Sequence, residues 1–328
     1  MTNQSELTHS RFDFSYEKAL SLAQHKVKEA LSASPGLIRE YTRHLANTTG
    51  KFIRARSLLT CAQDDEGFIS KNAVTLATAI EILHLATLVH DDVIDDADMR
   101  RGMVTLHKKY GSRTAVICGD YLLSIVYKLA ASVSRKDEYQ KHQHKKVPDF
   151  IGRICLGELN QHINSGNYNL STYQYLKIIA GKTACMFEAA FYIGASLVEE
   201  DESMIKAYAK IGHYAGMVFQ LTDDCMDFET TEHIAKKPVQ SDYEQNVITL
   251  PLIHTFNQIK GLRSKAKQEW IPKVKINKLV KNAGGLVYTR NVAKKYYHKA
   301  MNIVQGLEIS NDKREKVIAI LKKTYRIF

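Results

Sequence analysis

Residues 73–95 read AVTLATAIEILHLATLVHDDVID. Val74, Leu76, Ala77, Ile80, Leu83 and Leu88 follow helical spacing, yet the run is apolar almost all round, as in a helix buried on every side. It ends in Asp91, Asp92 and Asp95 and continues into Asp98-Met99-Arg100-Arg101-Gly102. Asp91 and Asp95 are one turn apart and share a flank. A second apolar run, Ala207 to Thr222, ends in Asp223-Asp224-Cys225-Met226-Asp227, repeating D-D-x-x-D 132 residues later. Carboxylates this close oppose each other's ionisation unless positive charge sits among them. Two such clusters facing one another would hold several hard divalent cations. Magnesium keeps much of its water and binds through a few carboxylates plus substrate phosphates. The pattern therefore points to a diphosphate held in an apolar cavity.

The rest of the chain reads as helices. Its 328 residues contain five prolines, near apparent breaks, and no strand-like alternation with hairpin turns stands out. Thr183 to Val198 is a third buried helix. Connections are expected at Asp64–Phe68, Ser134–Val147, Asn164–Ser171, Glu199–Ser203 and Thr230–Gln245. The expectation is one all-α domain over residues 1–328, with residues 1–15 a flexible N-terminal segment. Five scattered cysteines without C-x-x-C spacing argue for reduced thiols in a cytoplasmic protein and against zinc. Met1 to Lys18 is polar and mixed in charge and reads as no signal peptide. No apolar run is expected to span a bilayer. The net charge of +11 favours anionic partners, although basic patches such as Arg263 to Lys278 read first as solvated surface.

Basic residues surround the acidic motifs. His84 precedes Asp91 by two turns, on nearly one stripe, and Thr87 lies one turn before Asp91 with Ala86 beside it. Arg100 and Arg101 can clamp phosphate oxygens. Gly50-Lys51-Phe52-Ile53-Arg54-Ala55-Arg56 places basic side chains at a helix start, a second diphosphate site that a helix dipole would aid. Lys182, Thr183 and Lys237 are further candidates.

The ordered set resembles the trans-type polyprenyl diphosphate synthases, in particular the catalytic subunit of long-chain members of the heptaprenyl kind. The resemblance covers residues 40–328 and rests on G-K-x-x-R at Gly50–Arg54, E-x-x-H at Glu81–His84, and H-D-D-x-x-D with D-M-R-R-G. It continues through G-D at Gly119-Asp120, G-E at Gly157-Glu158, K-T-A at Lys182–Ala184, F-Q-L-T-D-D-x-x-D at Phe219–Asp227, K-P at Lys237-Pro238 and T-L-P at Thr249–Pro251.

The resemblance implies an isoprenoid-synthase-like bundle of ten or more helices around a deep central cavity. It implies Asp91, Asp95, Asp223, Asp224 and Asp227 as metal-binding residues for Mg2+, three ions per active site. Arg100, Lys182, Thr183, Gln220 and Lys237 would contact an allylic diphosphate, farnesyl diphosphate being the expected primer. Lys51, Arg54, His84 and Arg101 would hold isopentenyl diphosphate. Asp91, Asp95, Lys182 and Asp223 would carry catalysis: assisted ionisation of the allylic carbon–oxygen bond, attack by the isopentenyl double bond, and deprotonation. Short-chain members commonly place bulky aromatics just upstream of the first motif. Ala86 and Thr87 stand there instead, so a product of thirty to forty carbons, of the quinone side-chain type, is expected.

The expected assembly is a homodimer, or a heteromer with a small helper subunit, at work in the cytoplasm with peripheral contact at the inner membrane surface. No nucleic acid is expected. Phe52 stands where a basic residue is common, Ala55 replaces a usual proline, and Asp242 to Val247 replaces D-L-x-x-G-K, with Val247 at the lysine. The competing readings are a terpene cyclase, which would not need the isopentenyl site, and a non-catalytic partner subunit, which would typically lose motif acids that this chain keeps.

Overall fold

The computed structural model describes residues 14–46, 50–133, 149–229 and 242–326. The chain folds into two compact units. The first combines residues 1–146 with 190–208 and 308–317; the second combines 147–189, 209–307 and 318–328.

The first unit contains α1 (Tyr16–Ser32), α2 (Gly36–Ala46), α3 (Ile53–Cys61), α4 (Lys71–Ile94), β1 (Met99–Arg100), β2 (Met103–Val104), α5 (Leu106–Tyr110) and α6 (Ser112–Ser132). The second contains α7 (Phe150–Ile163), α8 (Thr172–Ile179) and a π-helical turn (Ala180–Ala184). The unit boundaries then cut α9 (Cys185–Ser196) and α10 (Glu202–Glu229). The second unit resumes with α11 (Leu250–Gln258), α12 (Leu262–Gln268), α13 (Lys273–Asn282) and α14 (Gly285–Gly306), and α15 (Asn311–Tyr325) is shared in sequence between the two.

The expected buried helix is α4. Ser70 caps it, its hydroxyl accepting the Ala73 N–H at 3.2 Å. It packs against α1, α3 and α6. At Gly119 of α6 there is no room for a side chain. A Cβ there would overlap the His90 ring, whose Nε2 lies 3.3 Å from the Val116 carbonyl and 3.4 Å from Asp120. In the second unit, Gly157 of α7 meets Gly181 of the π-helical turn, and a Cβ at Gly157 would overlap the Lys182 backbone nitrogen. Motif glycines thus fix helix spacing where functional side chains emerge.

Three expectations are corrected here. A hairpin does exist: β1 and β2 pair antiparallel across Arg101 (φ 51°) and Gly102 (φ 82°), both left-handed as a tight hairpin turn demands. Six residues were too few to show an alternation. The N-terminal segment is already paired at Phe14, which exchanges backbone hydrogen bonds with Ile69 at 2.8 and 2.9 Å; residues 1–13 of the expected flexible segment lie outside the described residues. Finally, Lys71–Ile94, Ser112–Ser132 and Thr172–Ser196 are each long and apolar enough to cross a membrane. The first and third bury 67% of their apolar window inside the protein, whereas α6 buries 22%.

Candidate active site

The last turn of α4 separates its acids by face. Asp92 points inward and is buried, accepting Arg100 Nε at 2.7 Å with Nη2 at 2.5 Å. Burial raises the Asp92 carboxyl above its ordinary range, and Arg100 opposes this. Asp91 and Asp95 are half-buried and stacked one turn apart, the Asp95 N–H donating to the Asp91 carbonyl at 2.8 Å. Asp96 and Asp98 pair with Lys108 at 2.8 and 3.1 Å, a supporting role.

Upstream on α4, Glu81 and His84 meet the start of α3. Glu81 Oε1 accepts the Ala55 N–H at 2.9 Å, and the Arg54 N–H also donates to it. Two of the α3 N-terminal donors are therefore committed to an internal carboxylate rather than to a substrate anion. Proline, usual at position 55, could not make this bond. Buried Arg54 and exposed Arg101 flank Glu81. Burial draws Arg54 down to about 10, so it stays cationic at neutral pH. Burial, then Arg54, Arg101 and Arg100, hold His84 well below its ordinary value, so the ring is neutral. Gly50, Phe52, Glu81, His84, Leu85, Leu88 and Arg101 line a small cavity, and a Cβ on Gly50 would overlap the Arg101 guanidinium. The structure thus brings Arg54, His84, Arg100 and Arg101 together. Lys51 is exposed beside Gly50, and Arg56 Nε donates to its carbonyl at 3.4 Å. Ala86 is fully buried; the half-buried Thr87 donates its hydroxyl to the His84 carbonyl at 2.9 Å.

In the second unit each acid of the second motif has a different environment. Asp223 is half-exposed and paired with Arg326. Asp224 is buried, held by the Tyr175 hydroxyl on Oδ2 and by Gln220 Nε2 on Oδ1 at 2.7 Å. Gln220 in turn accepts the Thr183 hydroxyl at 2.7 Å. Asp227 accepts a backbone N–H from Asp242, and its buried Oδ2 has no hydrogen-bond partner among the described residues. Burial raises Asp224, Asp227 and Asp242, and the carboxylates raise one another further. Lys182, on the π-helical turn, lies 2.8 Å from Glu158 of α7.

Sequence reasoning missed Asp242. It lies fifteen residues after Asp227 and joins the acids only through the chain's return; its place at the head of the D-L-x-x-G-K-like stretch was the available signal. Asn246 takes the glycine position of that pattern at φ 59°, which asparagine tolerates, so the turn survives the loss of the lysine at Val247. Lys237 lies outside the described residues.

The sequence pattern of the polyprenyl synthetase family matches residues 35–282. The chain belongs to this family. Component 2 of the heptaprenyl diphosphate synthase of Geobacillus stearothermophilus is 30% identical over 314 residues, 93% of this chain and 96% of that protein. The geranylgeranyl diphosphate synthase of Sulfolobus acidocaldarius is 28% identical, covering 95% and 97%. The crystal structure of a polyprenyl synthase from Caulobacter crescentus CB15, complexed with calcium and isoprenyl diphosphate, aligns with a TM-score of 0.83 at 26% identity over 94% of each chain. The fold is the all-α isoprenoid-synthase fold of this family, and the chain is a prenyltransferase.

Proposed function

We propose that the chain extends an allylic diphosphate, farnesyl diphosphate being the expected primer, with isopentenyl diphosphate, to an all-trans polyprenyl diphosphate of about C30–C40. The observations that carry this reading lie one in each unit: crowded, buried acids at the end of α10, and a basic pocket around Glu81 of α4 containing a neutral histidine.

The acids fit divalent cations. Asp227 Oδ2 is buried without a partner, and Asp224, Asp227 and Asp242 are driven upward by burial and mutual repulsion, as carboxylates are where a positive charge belongs. Among the described residues no three His, Cys, Asp or Glu side chains are grouped to hold a metal ion. Magnesium takes phosphate oxygens and water for much of its shell. Asp91 and Asp95 of the first unit would hold it, as would Asp223 and Asp227 of the second, where Asp224 sets the geometry of its neighbours. When bound, the cations stabilise the charge that develops on the departing diphosphate.

The chain's own residues do the rest. Arg100, anchored on Asp92, and Lys182, anchored on Glu158, present fixed positive charge to the allylic diphosphate, and Thr183 and Gln220 extend that surface. Lys51, Arg54 and Arg101 bind the isopentenyl diphosphate, and neutral His84 offers a hydrogen bond without a further charge. Apolar walls exclude water from the reacting carbons. Ala86, on α4, lacks the bulk of the aromatic ring that would close off a growing tail in this reading. The component 2 relative supports a reading in which a second polypeptide assists, complementing the lysine that Val247 lacks.

The test is isothermal titration of a non-hydrolysable allylic diphosphate analogue. Tight binding with magnesium, abolished by chelation and by Asp91→Ala, is expected. Equal binding without magnesium would overturn the assignment.

A further inference from the structure

The excess positive charge of this chain resides in one segment. Residues 257–307 hold twelve Lys and Arg against one acid, Glu269, a net +11, whereas the remainder balances at thirty-four of each sign. The segment comprises the end of α11 and all of α12, α13 and α14. Lys265, Lys273 and Arg290 are answered by Glu269, Glu244 and Glu229. Exposed Lys267, Lys275, Lys278 and Lys281 form no ion pair among the described residues.

Three of these four unanswered lysines lie on one face. α13 buries Ile276 and Val280 in the core of the second unit and turns Val274, Lys275, Lys278 and Lys281 to the opposite side. Val274 is 74% exposed between the lysines. Trp270, the sole tryptophan, precedes the helix by three residues and stacks on buried Tyr243 at 4.9 Å between ring centroids and 21° between planes. Although held from behind, it remains 55% exposed.

We propose that Trp270 and the outer face of α13 form a docking surface for an anionic phospholipid bilayer. The lysines supply attraction at the headgroup level, where their stems can lie along apolar material while the ammonium groups stay wet. Trp270 is the residue type favoured at a membrane interface, and its stack on Tyr243 leaves little rotational freedom to lose. Val274 adds an apolar contact that a nucleic-acid backbone would not use. This face has no arginine, the residue best suited to forked phosphate or base recognition. A bilayer is also the natural solvent for a polyprenyl tail, but the docking surface stands without that reading, since its test contains no substrate.

Trp270 is its own reporter. The full chain is mixed with phosphatidylcholine vesicles, with and without phosphatidylglycerol, and tryptophan emission and co-sedimentation are followed. Binding only to the anionic vesicles, with a blue shift, quenching by brominated lipid and release by salt, is expected. The K275E/K278E/K281E variant, changed only at exposed positions, should lose at least about tenfold in vesicle affinity, since each lysine near such a surface is worth on the order of fivefold. Its circular dichroism spectrum should stay unchanged. Failure to bind anionic vesicles, equal binding to neutral ones, full binding by the charge-reversed variant, or binding to a DNA duplex in place of vesicles would each overturn the proposal.

Discussion

The Tyr175 hydroxyl donates to Asp224 Oδ2 from α8, while Gln220 Nε2 holds the other oxygen at 2.7 Å. Both oxygens of this buried acid are therefore committed within the protein, whereas Oδ2 of Asp227 has no hydrogen-bond partner among the described residues. Asp224 acts as a positioning residue for the acids beside it. Tyr175→Phe removes one hold, so turnover should fall about tenfold and the magnesium concentration for half-maximal rate should rise. An unchanged magnesium dependence would contradict this role.

Lys51 is exposed next to Gly50, which lines the pocket that His84 and Arg101 share. Lys51→Ala should raise the KM for isopentenyl diphosphate about tenfold, roughly the loss of one charge-assisted contact, and leave the allylic KM unchanged. Steady-state kinetics with each substrate varied in turn would detect the opposite pattern.

Ala86 is fully buried on α4. Ala86→Phe places a ring there, which should shorten the dominant product by one or more isoprene units and cost about 1–3 kcal/mol of stability. An unaltered product ladder from a folded variant would show that the tail runs elsewhere.

Glu188 bonds Arg153 through both oxygens at 2.8 Å and lies 3.3 Å from His213. Burial alone would raise its carboxyl, but the bonds from His213 and Arg153 outweigh this and bring it from 4.5 to about 2. A depressed carboxyl stabilises the fold fully above its unfolded value and loses that contribution as pH falls towards the folded one. Glu188→Gln should therefore cost roughly 2 kcal/mol at neutral pH, allowing for partial solvent screening. The gap between the urea midpoints of the two proteins should close between pH 4.5 and 2. A pH-independent gap would refute the assignment.

Local pattern made α4 and the end of α10 legible, because an apolar run closing on spaced acids needs no tertiary information. What escaped the sequence came from the tertiary fold. The π-helical turn at Ala180–Ala184 accompanies the contact of Gly157 with Gly181, from another helix. Glu81 reaches the α3 N-terminus across 26 residues, and nothing in Gly50–Arg56 reveals that two of its donors are already taken. The short hairpin is signalled only by Arg101-Gly102, and Asp242 gains its meaning from a fold-back the linear pattern does not contain.

Prenyl transfer itself is tested most directly by incubating the purified chain with magnesium, farnesyl diphosphate and radiolabelled isopentenyl diphosphate, then sizing the dephosphorylated products. The account predicts a magnesium-dependent ladder ending near six to eight isoprene units, reduced at least about a thousandfold in Asp91→Ala. A folded wild-type chain that incorporates no label, or a variant that incorporates as much as the wild type, would contradict it.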